Sequence, residues 1–342
     1  MRLFIFCLLG GDIMDYVKFG NTGLDISRIC LGCFSFGDAT KGHHAWALDD
    51  EQSRKIIKQA LELGINFFDT ANSYAGGLSE EILGRALKDY ANRDEIVLAT
   101  KVNNRTFKGP NGAGLSRKAI MSEIDKSLKR LGSDYVDLYI IHRWDYSTPI
   151  EETMSALHDV VKAGKARYIG ASSMYAWQFQ KALYVAEKHG WTRFVSMQNH
   201  LNLIYREEER EMLPLCCEEK IAVTPYSPLA SGRLSRDWSE TTKRLETDQI
   251  AKFKYNATAD IDKPVIERVA LLAEKLGVTR AQIALAWLLQ KKPVVAPIVG
   301  VTKITQLEDV VEAVSIKLTP EDVAYLEEPY VPHKNVDSID GV

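Results

Sequence analysis

Asn66-Phe67-Phe68-Asp69-Thr70-Ala71-Asn72-Ser73-Tyr74 decides how the rest of the chain is read. A short apolar run delivers a carboxylate and, five residues on, a phenol, which is the order of a buried strand followed by a loop. An acid at the end of a buried strand needs a partner. The next two strand-like runs each end in one: Ile96–Thr100 stops at Lys101, and Val136–Ile141 stops at His142. Asp69, Tyr74, Lys101 and His142 are therefore expected at one end of three successive strands.

Outward from this stretch, strand-like runs alternate with amphipathic helical ones. The runs begin at Ile29, Asn66, Glu95, Tyr135, Ala166, Phe194, Ile221 and Val294. They are apolar throughout, as in a parallel sheet covered on both faces. Strict alternation, with no G-x-G-x-x-G opening a helix after a strand, predicts an α/β fold of the closed (β/α)8 TIM barrel type rather than an open doubly wound sheet. Tyr16–Phe19 and Ile26–Arg28 flank Gly20-Asn21-Thr22-Gly23, which predicts an N-terminal β-hairpin plugging one end. Residues 231 to about 262 are polar and weakly periodic, and read as a long insertion after strand 7 lying over the strand ends. Residues 14–332 are expected to form a single barrel domain, with 333–342 a C-terminal tail. Residues 1–13 carry one positive charge and a short apolar run without a small-x-small cleavage site, so they read as an N-terminal extension.

Net charge is −3, and no basic run stands out, which disfavours nucleic acid and anionic membranes as partners. No window approaches the ~18 apolar residues of a membrane span. Five cysteines, an odd number, point to reduced thiols in a cytoplasmic setting. Cys30-Leu31-Gly32-Cys33 lies in a strand-like run rather than at a helix start, so a structural role is expected for it, as for Cys216 and Cys217. His43 and His44 lack a spaced third ligand, and no metal is expected.

Barrel sites lie at the carboxyl ends of the strands. There, a lysine beside a phenol is expected to lower the phenol pKa, while Asp69 compensates the ammonium. Tyr74 becomes the candidate general acid, and a neutral His142 a hydrogen-bond donor to a carbonyl oxygen. Since no side chain supplies hydride, a nicotinamide cofactor is implied. A second reading makes Lys101 the Schiff-base lysine of an aldolase-type barrel, which the carboxylate and phenol fit less well. Phe34, His43, Trp46, Trp144 and the region of Trp238 are candidate substrate walls, and Arg143 a candidate contact for an anionic group.

These residues carry a family likeness. The chain resembles the aldo-keto reductases, and most closely the bacterial YajO-like members, from about Met14 to Pro332. The likeness rests on Asn66–Ala71 with Tyr74, on Ser79–Leu87, on Leu131-Gly132 to Asp137-Leu138 ending in His142, and on Gly164–Gly170. It implies NADPH across the strand ends, a tetrad matching Asp69, Tyr74, Lys101 and His142, and reduction of aldehydes or ketones to alcohols. It also implies that Ser172, Ser173 and Gln198 face the nicotinamide carboxamide and that Tyr226 stacks on the ring. Ser227, Leu229, Ser231 and Arg233 match the loop around the pyrophosphate. Gly300, Thr302, Lys303, Gln306 and Asp309 match the segment receiving the adenosine 2′-phosphate.

Two departures bear on the cofactor. Ser173 stands where many relatives carry Asn, and Asp309-Val310 where a Glu-Asn pair is frequent. Two alternatives accompany the resemblance: a nucleotide-sensing or partner-binding subunit, and a sugar-phosphate oxidoreductase in isoprenoid or thiamin-precursor metabolism. The chain has no Gly-Asp-Gly thiamin-diphosphate motif.

Overall fold

The computed structural model describes residues 14–40, 44–237, 240 and 242–336. The expected N-terminal extension, His43, Trp238 and residues 337–342 lie outside the described residues. Eight parallel strands, each followed by helix, build a (β/α)8 barrel. They are β3 (Cys30–Gly32), β4 (Phe67–Asp69), β5 (Val97–Val102), β6 (Val136–Ile141), β7 (Ala166–Ser172), β8 (Phe194–Gln198), β9 (Ala222–Val223) and β10 (Ile298–Val299), preceded by the antiparallel hairpin β1 (Tyr16–Lys18) and β2 (Asp25–Ser27). β10 pairs with β3, and closure on the other side runs through the parallel bridge Val223–Val294 and the bond from Val295 N to Val223 O at 3.0 Å. The run Val294–Val299 thus serves both neighbours in two pieces. Pro297 breaks its regular ladder because it has no N–H to give.

The interior of the barrel is layered by the two-residue period of its strands. Phe67, Val97, Ala99, Leu138, Ile140 and Ala222 fill the lower layers, where Phe19 and Ile26 of the hairpin join them. The hairpin therefore plugs the barrel, with the Phe19 and Phe67 rings edge to face at 5.8 Å. Gly20 makes this possible: its φ is +60°, and a Cβ there would lie 2.7 Å from Ala222 N. Two residues above Phe67 and Ala99 the same alternation turns Asp69 and Lys101 inward.

The surrounding helices are α1 (Asp50–Glu62), α2 (Leu78–Tyr90), α3 (Arg117–Leu131), α4 (Ile150–Lys162), α5 (Ala176–His189) and α6 (Met212–Glu218). Local signals set their ends: Ser116 Oγ accepts from Ala119 N at the start of α3, and left-handed Gly132 and Gly190 close α3 and α5. Much of the Ser79–Leu87 motif is structural. Ser79 Oγ donates to Cys33 O at 2.7 Å, buried Glu80 accepts from Arg130 Nε at 2.6 Å, and a Cβ on Gly84 would sit 2.2 Å from Leu131 O.

The insertion is more ordered than its weak periodicity suggested. It holds α7 (Lys243–Thr247) and α8 (Gln249–Tyr255), and α9 (Ala259–Leu276) starts before the insertion's expected end near residue 262. Asp248 caps α8 by accepting from Ala251 N at 3.0 Å. Helices this short present too few turns for a periodic signal, and Pro264 inside α9 reads as a start. The insertion does reach the first barrel loop, since the Arg244 guanidinium lies 4.4 Å over the Trp46 ring. Then follow α10 (Arg280–Leu289), α11 (Ile304–Glu312) and α12 (Pro320–Glu327).

Candidate active site

β5 continues through Lys101 and Val102 instead of stopping at Thr100, because Lys101 is in register with Ile140 of β6 and its ammonium finds partners inside. Lys101 is fully buried and Asp69 nearly so, at 0% and 2% exposure. The ammonium donates to Asp69 Oδ1, to Thr70 O at 2.8 Å and to the Tyr74 hydroxyl at 3.2 Å. An ammonium has three protons, and all three are engaged. Tyr74 oxygen is thus an acceptor from Lys101, which leaves its own proton to point elsewhere.

Burial works against the Lys101 charge, but Asp69 and Tyr74 outweigh it and hold the pKa above the usual lysine range. A lysine kept as ammonium is a poor Schiff-base nucleophile. For Tyr74 the expected sign is corrected. Burial raises the phenol pKa more than Lys101 lowers it, with Asp69 adding to the rise. The phenol stays protonated through neutrality.

His142 stands next in space, its ring 5.7 Å from that of Tyr74. Burial, then Lys101 and Arg143, push its pKa well below the ordinary value, so the imidazole is neutral. Asn104, which sequence reading missed, lies with Nδ2 3.1 Å from His142 Nδ1. Nothing in the sequence marks Asn104 beyond its place three residues after Lys101.

On one side of Tyr74, Phe34 approaches edge-on at 4.9 Å, with His44 and Trp46 packed on Phe34. Arg143 and Trp144 line a cavity of about 630 Å³ with Asn104, Asp145, Tyr146 and Ser173, which joins the cluster through the contact of Asn104 with His142. Of the expected substrate wall, Phe34 is the residue set directly against the phenol.

Gln198 Nε2 donates to Asp69 Oδ2 at 2.8 Å, which ties it to the same cluster and leaves its carbonyl oxygen as acceptor. The hydroxyls of Ser172, Ser173 and Tyr226 form a chain with steps of 3.2 Å. His200 stacks on Tyr226 at 5.4 Å, and Lys254 Nζ, from the insertion, lies 4.6 Å from the same ring centre. Neither neighbour was foreseen, since both reach the ring from distant parts of the chain.

Further along, Ser227, Ala230 and Ser231 all have left-handed backbone, and Arg233 holds Asn256 Oδ1 at 2.8 Å while its buried Nη1 has no partner. At the start of α11, Gln306 Oε1 accepts from Thr302 N at 2.9 Å and Lys303 N at 3.1 Å. Asp309 takes Thr279 Oγ1 at 2.9 Å, and Val310 is buried in the core. Gly300 and Leu229 border these segments, with Gly300 3.7 Å from Gly32 O when given a Cβ.

Among the described residues no group of three or more His, Cys, Asp or Glu is placed to hold a metal, and no helix is long and apolar enough to cross a membrane. Cys30 and Cys33 are buried free thiols raised in pKa by burial, in keeping with a structural role.

A closed parallel barrel with a lysine, carboxylate, phenol and imidazole at the carboxyl end of its strands defines a barrel oxidoreductase. The profile of the Aldo/keto reductase family matches residues 28–330, and the chain belongs to that family. It is 44% identical to the versiconal hemiacetal acetate reductase of Aspergillus parasiticus, over 93% of this chain and 98% of the relative. It is 43% identical to a Schizosaccharomyces pombe protein named provisionally as an aryl-alcohol dehydrogenase, over 93% and 96%. A third relative, the aldo-keto reductase dtxS3 of Metarhizium robertsii, is 40% identical over 94% and 92%. These relatives are fungal and give no support to the bacterial YajO-like likeness expected from the motifs.

Proposed function

We propose that this chain reduces aldehydes or ketones to alcohols with NADPH, and that Tyr74 gives the proton. The observation carrying the reading is the Lys101 ammonium spent on Asp69, Thr70 and Tyr74, so that the phenol's own proton is free for a substrate oxygen. Bound NADPH would supply hydride to the carbonyl carbon. Tyr74 moves its proton to the oxygen as negative charge develops there, and Lys101 stabilises the phenolate left behind. Asp69 keeps Lys101 charged. His142 holds the carbonyl oxygen in place.

The chain's own residues fit the cofactor. The partnerless Arg233 Nη1 suits a pyrophosphate, to which a guanidinium can donate a charge-assisted bond, and it stands beside the left-handed positions Ser227, Ala230 and Ser231. Leu229 lies within this loop. Ser172, Ser173 and the free oxygen of Gln198 suit a carboxamide, and Tyr226 a nicotinamide face. Gly300, Thr302, Lys303, Gln306 and Asp309 would meet the adenosine end, where the cationic Lys303 favours a 2′-phosphate. Phe34, Trp46, Arg143 and Trp144 would hold the substrate. Free thiols at Cys30, Cys33, Cys216 and Cys217 support a cytoplasmic setting.

Fluorescence titration with NADPH and NADH tests the cofactor, and NADPH oxidation against aromatic aldehydes, dicarbonyls and sugar-derived carbonyls tests the reaction. Tyr74→Phe is expected to bind NADPH normally and lose ~10²–10⁴-fold in kcat/KM. Reduction by that variant at the wild-type rate would overturn the assignment of the proton donor. Tight NADPH binding with no carbonyl turned over would favour the nucleotide-sensing reading.

A further inference from the structure

The loop after β5 turns sharply back over the strand ends. Asn103 takes φ +143°, a region L side chains rarely adopt, and is anchored from both sides: Gly114 N donates to its carbonyl at 2.7 Å, and its Nδ2 donates to Arg143 O at 3.3 Å. The next side chain, Asn104, is thereby placed between two parts of the site. Its Nδ2 lies 3.1 Å from His142 Nδ1 and 3.3 Å from Ser73 Oγ, beside Tyr74. One amide nitrogen, with two protons, thus faces both atoms. Among the described residues Asn104 is the one hydrogen-bond partner of the His142 ring, and the charged groups bearing on that ring, Lys101 and Arg143, are both cations.

We infer that Asn104 is a positioning residue that selects the tautomer of His142, placing the ring proton on Nε2 so that this nitrogen donates to the substrate oxygen. The inference rests on the carbonyl-reductase reading. An amide N–H facing Nδ1 can be accommodated only if Nδ1 carries a lone pair, and a neutral imidazole then has its proton on Nε2. Because an amide does not titrate, this choice holds for as long as the ring itself is neutral. Replacing the amide by a carboxylate reverses the demand: Nδ1 becomes the donor, and Nε2 is left an acceptor unless the ring is doubly protonated.

Nitrogen NMR of the full-length chain, with the histidine rings labelled and without substrate, reads the tautomer directly. In wild type His142 is expected to show unprotonated Nδ1 and protonated Nε2, and in Asn104→Asp protonated Nδ1. The pH profiles are expected to diverge as well. Wild-type reduction is level across neutrality, whereas Asn104→Asp is depressed ~10²-fold at pH 8 and regains rate as pH falls and the ring becomes imidazolium, with both nitrogens donating. Asn104→Ala is expected to lose about tenfold without that pH dependence. Protonated Nδ1 in wild type would overturn the inference, and so would an Asn104→Asp profile parallel to wild type. If no carbonyl is reduced by wild type, the functional reading fails while the tautomer result still stands or falls alone.

Discussion

At the scale of single residues, the site is governed by what burial does to charge. Lys101 is buried with one carboxylate as counter-charge, so Lys101→Met strands Asp69 without its partner. We expect a loss of about 3–5 kcal/mol in unfolding free energy by denaturant titration, together with loss of reduction. Stability equal to wild type would show that Asp69 is protonated or solvated. The pH dependence of reduction follows from two opposite shifts. Tyr74 is raised and stays protonated, and His142 is lowered and stays neutral, so with Tyr74 as the proposed proton donor kcat/KM is expected to be level from about pH 6 to 8 and to fall only at alkaline pH as Tyr74 ionises. On the proposed mechanism oxidation of an alcohol needs the phenolate, and it is expected to rise with pH over the range where reduction holds level. An inflection in reduction near pH 6.5 would mean that His142 titrates in the working range.

At the scale of elements, close approach decides more than propensity does. Gly84 lets α2 lie against the end of α3, and a methyl group there would press on Leu131 O, which is backbone and cannot rotate away. Gly84→Ala is expected to cost about 1–3 kcal/mol despite alanine's better helix propensity, as measured by thermal or denaturant unfolding. A stabilised variant would refute the contact. The bounds of α5 follow its local signals closely, for left-handed Gly190 ends it where the sequence turns from His189 to glycine. The insertion had no such legibility. Its short helices are held by the Asp248 cap of α8 and by contacts such as Arg244 on Trp46 and Arg233 on Asn256, which join separate segments of the chain.

At the scale of the whole molecule, both the hairpin and the end of the described chain fasten the barrel. Phe19→Ala is expected to cost about 3–5 kcal/mol, since the ring is wholly buried among the lowest interior layer. The substitution should leave NADPH affinity unchanged, because the plug lies at the other end from the strand carboxyl termini. At the far end of the chain, His333 Nε2 meets buried Asp262 at the start of α9 at 2.7 Å, and Tyr330 stacks on the His333 ring. Burial lowers the His333 pKa, but the bond to Asp262 and its charge outweigh this and raise it above the ordinary value. A raised folded-state value contributes stability fully below the unfolded pKa of ~6.5, and that contribution is lost as pH rises through the folded-state value. Wild type should therefore lose stability relative to His333→Gln as pH rises from about 6 to 9, in parallel denaturant titrations. Parallel curves would mean that His333 is not charged in the fold.

The sequence by itself determined the barrel class, the eight strand runs, the hairpin plug and the appearance of Asp69, Lys101 and His142 at strand ends. These follow from periods of two and 3.6 residues and from caps, which act between near neighbours and are written in local order. Only the tertiary structure decided the closure through Val223 and Val294, the sign of the Tyr74 shift, the partnership of Asn104 with His142 and the packing of His200 and Lys254 on Tyr226. Each depends on groups brought together from distant parts of the chain, and on a local dielectric that exists only once the barrel has closed around them.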